Sequence, residues 1–375
     1  MARGGWRWRG MVALTATSLA FVIYPLTEPG RDVISSSDWP AFATGAKVAL
    51  SDPSHLYDLD VQKRVQLEVT GGQSLVTLGI HGILPFLAPA WVALLAVPFE
   101  VAGIELGGRL WVLFGLACLA FGLGLATRPR PPDSILPAFA TVPTALMLLN
   151  AQLDGTVALG IGAAFALWTR PYIAGLALGL TLMKPHLMLP LGFALLATRR
   201  WRVLAGWATA GAVLWASYAV LDPRWVLYWL APAAGTVQPG GREIDLPHLA
   251  TLLPSGLQTI GVAVVTVGAI AAVVLLARRR RDDLRSAAAI VVSGGVLAAP
   301  HALAADLVLV AMALAIWGRA RWYDWLILSV GAAIAALIPP PMPVLVGIVV
   351  IGWVCLRAAG GFSEWRPAPR QESPG

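Results

Sequence analysis

Charge is what this chain has least of: 13% of its 375 residues are charged, against 58% that are hydrophobic. Soluble domains carry roughly 25% charged residues, so a soluble enzyme is excluded, and the apolar surplus excludes a disordered chain. Cysteine is nearly absent. Cys118 and Cys355 lie in separate apolar stretches without CxxC spacing, which excludes a disulfide framework and a zinc ribbon. Lysine is confined to Lys47, Lys63 and Lys184, and the other basic residues are arginines clustered between apolar runs. That pattern suits an anionic membrane leaflet and not nucleic acid. No HxxxH spacing occurs, no repeat of roughly 20–50 residues is visible, and no metal is assigned. With a mean hydropathy of +0.73, what is present is lipid-soluble sequence over almost the whole length. The chain reads as a multi-spanning membrane protein.

Apolar runs and the placement of Arg and Lys predict a topology. Arg3, Arg7 and Arg9 precede an apolar run from Met11 to Leu26 with no small-x-small cleavage site after it. This is an uncleaved first span with its N-terminus inside. Residues 27–105 form the first outer loop. Apolar runs follow at 83–99, 106–126, 134–150, 155–169, 171–184, 187–198, 203–221, 257–277, 284–299, 302–318, 322–338 and 343–357. If all crossed, the basic positions Arg128/Arg130, Arg170, Arg199-Arg200-Trp201-Arg202, Arg278 to Arg281 and Arg319/Arg321 would not share a side with the N-terminus. The segment 83–99, broken by Pro85, Pro89 and Pro98, is therefore expected to lie along the outer interface. The predicted fold is all-α and integral to the membrane. Residues 1–359 form a bundle of about twelve transmembrane helices with both termini cytoplasmic. Juxtamembrane helices lie in the outer loop, and the tail 360–375 is disordered.

The histidines test this topology independently. All five (His55, His81, His186, His248, His301) fall on the outer side or at outer span ends. Asp154, Lys184, His186, His301 and Asp306 come from short outer turns between apolar helices. Ionisable groups at membrane depth are costly, so an outward-facing polar site is expected, against the alternative of scattered interfacial anchors.

The first outer loop carries Ser35-Ser36-Ser37-Asp38-Trp39-Pro40, then Lys47, then Asp52-Pro53 and Leu56-Tyr57-Asp58. Asp38 can cap the helix that follows it or serve as a functional carboxylate, and the two roles are compatible. The proline-broken segment Phe86–Pro98 comes next, then Leu110-Trp111 and Leu149-Asn150-Ala151-Gln152. Ala174–Gly179 with Lys184-Pro185, Arg199-Arg200-Trp201 and Ala299-Pro300-His301 complete the series. In this order and spacing, over about residues 35–310, the chain resembles glycosyltransferase family 87 of the GT-C superfamily. Ala151 stands where the family usually has Gly, and Phe42 where it often has Tyr.

The resemblance implies a GT-C-type hexosyltransferase that inverts by single displacement. It would move a sugar, mannose foremost, from a polyprenyl-phosphate donor to a glycolipid or glycan acceptor at the outer face of the bacterial cytoplasmic membrane. Partners are then the lipid-linked sugar, the acceptor and membrane lipids, with no nucleic acid and no cofactor beyond the donor. Such a transfer needs a base for the acceptor hydroxyl, and a partly desolvated Asp38 suits that role. Lys184 suits a lipid phosphate as a point charge, and even a snorkelling side chain would lie in the headgroup layer. His301 and His186 can bond or protonate the phosphate, interfacial anchoring being the other reading. Gln152, Asp154, Tyr57 and His81 are the candidates for sugar or acceptor binding, and the segment 150–155 also reads as an ordinary turn. The competing class is a transporter or lipid flippase, with an assembly scaffold third. Polar groups on one side favour the enzyme, since transporters bind near the midplane.

Overall fold

The computed structural model describes residues 36–72, 83–128, 135–235 and 243–360, with Ile23, Thr27 and Ile34. The first predicted span, His81 and the tail from 361 lie outside the described residues. Within them the chain is helical and has no strand. The loop predicted to be outer, residues 27–105, supplies α1 (Trp39–Ser51), α2 (Leu59–Val69) and α3 (Ala90–Glu100). The bundle continues with α4 (Ile104–Ala126), α5 (Ile135–Phe139), α6 (Val142–Leu149), α7 (Asp154–Ala166) and α8 (Pro171–Leu178). It goes on through α9 (Leu189–Ala197), α10 (Trp201–Ala219), α11 (Trp225–Gly235) and α12 (Ser255–Arg279). Last come α13 (Leu284–Ala298), α14 (Leu307–Trp317), α15 (Trp322–Leu337) and α16 (Met342–Ala358).

Among the described residues two helices, α4 of 23 residues and α12 of 25, are long and apolar enough to cross a membrane alone. Some of the other apolar helices are shorter because prolines divide runs that the sequence presents as single spans. The run 134–150 splits into α5 and α6, with Pro137 in the first and Pro143 opening the second. The stretch 171–198 is interrupted at Lys184, because Pro185 disfavours helical dihedrals in the residue before it. Lys184 accordingly sits at φ −132°, ψ 72°, between two 3₁₀ turns.

Helix α14 is apolar on every side (LVLVAMALAIW) and every one of its residues is buried. That is the signature of a central helix. By contrast α12 exposes Leu257, Ile260, Val264, Val267 and Leu275, an apolar surface suited to lipid. Small residues let the backbones touch: a Cβ on Gly155 would lie 2.1 Å from the Gly115 carbonyl oxygen, and one on Gly162 2.0 Å from that of Gly122. These contacts place α4 and α7 side by side and parallel, the close packing that small residues permit between membrane helices.

Arginines tie down helix ends at the far end of α4. Arg285 donates to the carbonyls of Ile316 (2.8 Å) and Arg128 (3.2 Å), and Arg280 Nε to that of Ala359 (3.0 Å). Cations at helix C-termini satisfy free carbonyls and oppose the helix dipole. The opposite end of the bundle holds the outer-loop helices. There the extended residues 84–86 are paired by two buried glutamines of α2. Gln62 Oε1 accepts from Phe86 N (2.8 Å) and its Nε2 donates to Phe86 O (3.1 Å). Gln66 does the same for Leu84, at 2.9 and 2.7 Å. Four residues apart, the two amides share one face of α2 and stand in for a neighbouring strand.

Candidate active site

At this end α7 and α14 present their N-termini to the break in front of Pro185. Asp154 opens α7, and Asp306 closes the 3₁₀ turn Ala304–Asp306 that leads into α14. Carboxylates are favoured at such positions by the helix dipole. Lys184 reaches both: its Nζ lies 2.9 Å from Asp154 Oδ2 and 2.5 Å from Asp306 Oδ1. The third ammonium proton goes to Gln152 Oε1 at 2.6 Å. Asp306 uses its other oxygen to accept from Leu303 N at 2.7 Å, while Asp154 Oδ1 is buried without a hydrogen-bond partner among the described residues.

Gln152 carries the network onward, its amide nitrogen donating to Asp38 Oδ2. The backbone helps, since Asp38 N donates to Asn150 O at 3.2 Å. Gln152 is aimed by the end of α6, where Ala151 adopts φ +51° and Gln152 N returns to Met147 O at 2.9 Å. This is a left-handed helix stop, the conformation that favours glycine. It gives a physical reason for the glycine that usually stands at this place. Ala151 adopts it nonetheless, fully buried, with its carbonyl accepting from Trp111 Nε1 at 2.8 Å.

Asp38 itself corrects one expectation. It precedes α1 but makes no side-chain cap, because its own dihedrals are already helical (φ −76°, ψ −5°). A capping residue normally has extended dihedrals, which aim the side chain back at the first turn. The Asp38 carboxylate is instead free to point at Gln152. Burial raises its pKa to about 6, against the lowering effects of Lys184 and of the Gln152 bond.

His301 lies in electrostatic reach of both Asp38 and Asp306. Its Nδ1 is 3.5 Å from Glu243 Oε1, and Glu243 Oε2 is 3.6 Å from His248 Nδ1. His186 is partly buried and feels Lys184, Asp306 and His301, but its ring makes no hydrogen bond to another described residue. The structure thus brings together Asp38, Gln152, Asp154, Lys184, His186 and His301. Tyr57 is placed apart: its hydroxyl donates to Ala88 O at 2.9 Å and its ring packs on Phe86. Phe42, where a tyrosine is usual, lies buried between Phe86 and Trp111.

Sequence reasoning noted Asp306 on the outer side without a role, and passed over Glu243 and Asp245. An acidic residue in a polar loop carries no distinguishing signal, and these acquire meaning only through contacts across some 57 residues. It also excluded any Asp-x-Asp spacing, which is wrong, since Asp58 and Asp60 form one. Asp58 is occupied as the cap of α2, accepting from Asp60 N (2.9 Å) and Val61 N (3.1 Å).

The described residues form an apolar helical bundle with a charged cluster gathered at helix ends, an arrangement consistent with a membrane protein. The chain matches the model of glycosyltransferase family 87 over residues 86–300, more than half of its 375 residues. It belongs to that family of membrane glycosyltransferases. The match encloses Gln152, Asp154, Lys184 and Glu243, and His301 follows directly, while Asp38 and Asp306 flank it. No curated protein and no solved structure matches the chain.

Proposed function

We propose that the protein transfers a mannosyl residue from a polyprenyl-phosphate donor to a glycolipid or glycan acceptor, at the outer face of the bacterial cytoplasmic membrane. In this reading the chain crosses the bilayer about twelve times with both termini cytoplasmic, the orientation that keeps most arginine clusters inside. The observation that carries the proposal is the Asp38 carboxylate. It has no capping duty, is held by Gln152 and has a pKa of about 6. A carboxylate so placed is a stronger base than a solvated one and is still ionised near neutrality.

The step is a single displacement. Asp38 takes the proton of the acceptor hydroxyl as its oxygen bonds to the anomeric carbon. The bond from that carbon to the phosphate oxygen breaks on the opposite face, and the lipid phosphate leaves with the electron pair. Inversion follows from the geometry. Lys184 and His301 are the groups that meet the charge on the phosphate. The Lys184 protons are already given to Gln152, Asp154 and Asp306, so Lys184 acts on the donor mainly as a nearby charge. It is also the hub that orients the other three side chains. Gln152 and Asp154 face the sugar.

The test is transfer from radiolabelled polyprenyl-phosphate mannose to a membrane lipid extract by purified Asp38→Asn protein. Asparagine keeps the size of the side chain and an oxygen for the Gln152 amide, and removes only the basic charge. A fall of about a hundredfold or more in rate is expected for a positioned base, with donor affinity little changed. Asp58→Asn, a cap in the same loop, should stay near wild type. Near-normal turnover in Asp38→Asn would remove this mechanism.

A further inference from the structure

The Asp38–Lys184 cluster carries more carboxylates than cations: Asp154 and Asp306 bond one ammonium, and Asp38 joins it through Gln152. A phosphate entering such a site needs a further positive group. Lys184 has no proton left to give, so the remaining candidate is an imidazole. A neutral imidazole would not serve, and something must hold it charged.

Glu243 is placed to do so. Its side chain is 1% exposed, and neither carboxylate oxygen has a hydrogen-bond partner in the described residues. A buried carboxylate without hydrogen bonds is costly unless a counter-charge stands close. The groups at ion-pair distance from it are His301 Nδ1 and His248 Nδ1, one at each oxygen. Of the two, His301 reaches Asp38 and Asp306 electrostatically. The frame around the pair is fixed by backbone bonds. Ile244 N donates to Ala302 O at 2.8 Å, and Asp245 accepts from Ala302 N and His248 N, both at 2.9 Å. The segment bearing Glu243 is thereby strapped to the residue after His301.

We propose that Glu243 is a positioning residue: it holds His301 as an imidazolium with Nδ1 turned to Glu243, leaving Nε2 to donate to the leaving phosphate. The inference rests on the transfer reaction above for its role, though not for the ion pair itself. The charged groups facing His301 are Glu243, Asp245 and His248 on the strapped segment, Asp306 at the head of α14, Lys184 and His186 at the Pro185 break, and Asp38 before α1. Glu243, Asp306 and Asp245 raise the affinity of His301 for its proton, and burial opposes them. The balance lies above the ordinary histidine value. Burial raises the Glu243 carboxyl, but His301, the Glu243 backbone and His248 outweigh it and hold the group below its ordinary value. The two shifts agree in sign.

The charge on His301 is read by nuclear magnetic resonance. The full chain is reconstituted in lipid nanodiscs with ring-labelled histidines and titrated, and the His301 signal is assigned by its loss in His301→Gln. In wild type the His301 midpoint should lie above about 6.5, the unperturbed histidine value. In Glu243→Gln it should fall by about one pH unit or more, the effect of losing a close opposite charge. A wild-type midpoint at or below 6.5 overturns the proposal without any variant. So does an unmoved midpoint in a folded Glu243→Gln protein.

The role in transfer is read by the dependence of kcat and of donor KM on pH in the same preparations. Loss of activity on the alkaline side should begin about one pH unit lower in Glu243→Gln, with donor KM rising more than kcat falls. His248→Gln should leave that limb in place. A shifted midpoint with an unshifted rate profile would overturn the role at the phosphate while leaving the ion pair. Absence of transfer by wild type from any polyprenyl-phosphate sugar would instead sink the function proposed above, with the resonance titration still deciding the ion pair.

Discussion

Lys184 Nζ stands 2.5 Å from Asp306 Oδ1 across 122 residues of sequence, joining the Pro185 break to the head of the buried α14. With Asp154 on the same ammonium, the pair ties three segments together where their helices begin. Its side chains are nearly buried, Lys184 at 11% and Asp154 at 0% exposure, so neither charge can fall back on water.

Removing one side of such a pair is the destabilising change, more than removing the pair. Lys184→Met should lower stability by about 3–5 kcal/mol, because it strands two buried carboxylates. Asp306→Asn should cost less, since Lys184 keeps Asp154 and Asn keeps an acceptor for Leu303 N. The double change Lys184→Met with Asp306→Asn should be less harmful than the sum of the two, the mark of direct coupling. Thermal unfolding of the purified variants in one detergent measures all three. Additive losses would show that the two side chains do not act as a pair.

The outer loop makes a second expectation. Gln62 and Gln66 satisfy both backbone groups of Phe86 and of Leu84, from buried positions. Gln62→Leu fills the same space but leaves the Phe86 N–H and C=O unpaired. Each unsatisfied buried group costs about 1–3 kcal/mol, so a loss near the upper end of single-residue effects is expected. Gln62→Glu restores the acceptor for Phe86 N and loses the donor, so it should fall between Gln62→Leu and wild type. Limited proteolysis between residues 72 and 90 and the melting temperature both report this. Equal behaviour of Leu and Glu at 62 would refute the strand-like pairing.

Much of the site was legible because an ionisable residue in an apolar background stands out by its cost. Lys184, Asp154 and His301 are conspicuous for that reason, and Asp38 and Gln152 became so through the family resemblance. Glu243 sits in a polar segment where an acid is unremarked, and its burial arises from a strap formed by distant residues. Gln62 and Gln66 were hidden similarly. They lie on a helix of low overall hydrophobicity, where polar residues read as solvent-facing, although their spacing of four would have allowed a shared buried face. The number of spans was not legible: about twelve are expected from the runs, and two described helices are long and apolar enough to cross alone. Apolar runs report which residues avoid water, whereas Pro137, Pro143 and Pro185 decide where a helix stops.

The last prediction concerns the acidic side of the pH profile and assigns it to Asp38. Burial raises the Asp38 carboxyl to a pKa of about 6, with Lys184 and the Gln152 hydrogen bond pulling the other way. A base must be unprotonated to act, so the transfer rate should climb as pH rises through about 6 and level off above it. Gln152→Ala removes one of the three lowering effects, those of Lys184, Gln152 and His301, so the climb should move to higher pH, and the rate at pH 6 should fall more than the rate at pH 8. Lys184→Met removes the largest of the three and should move the limb further in the same direction. If His301 or a donor phosphate set the limb instead, Gln152→Ala would lower the rate evenly at every pH, since the Gln152 amide bonds Asp38 and Lys184 and neither of those groups. The measurement is kcat against pH for wild type, Gln152→Ala and, where it folds, Lys184→Met. An acidic limb that stays in place in Gln152→Ala would take the base assignment away from Asp38.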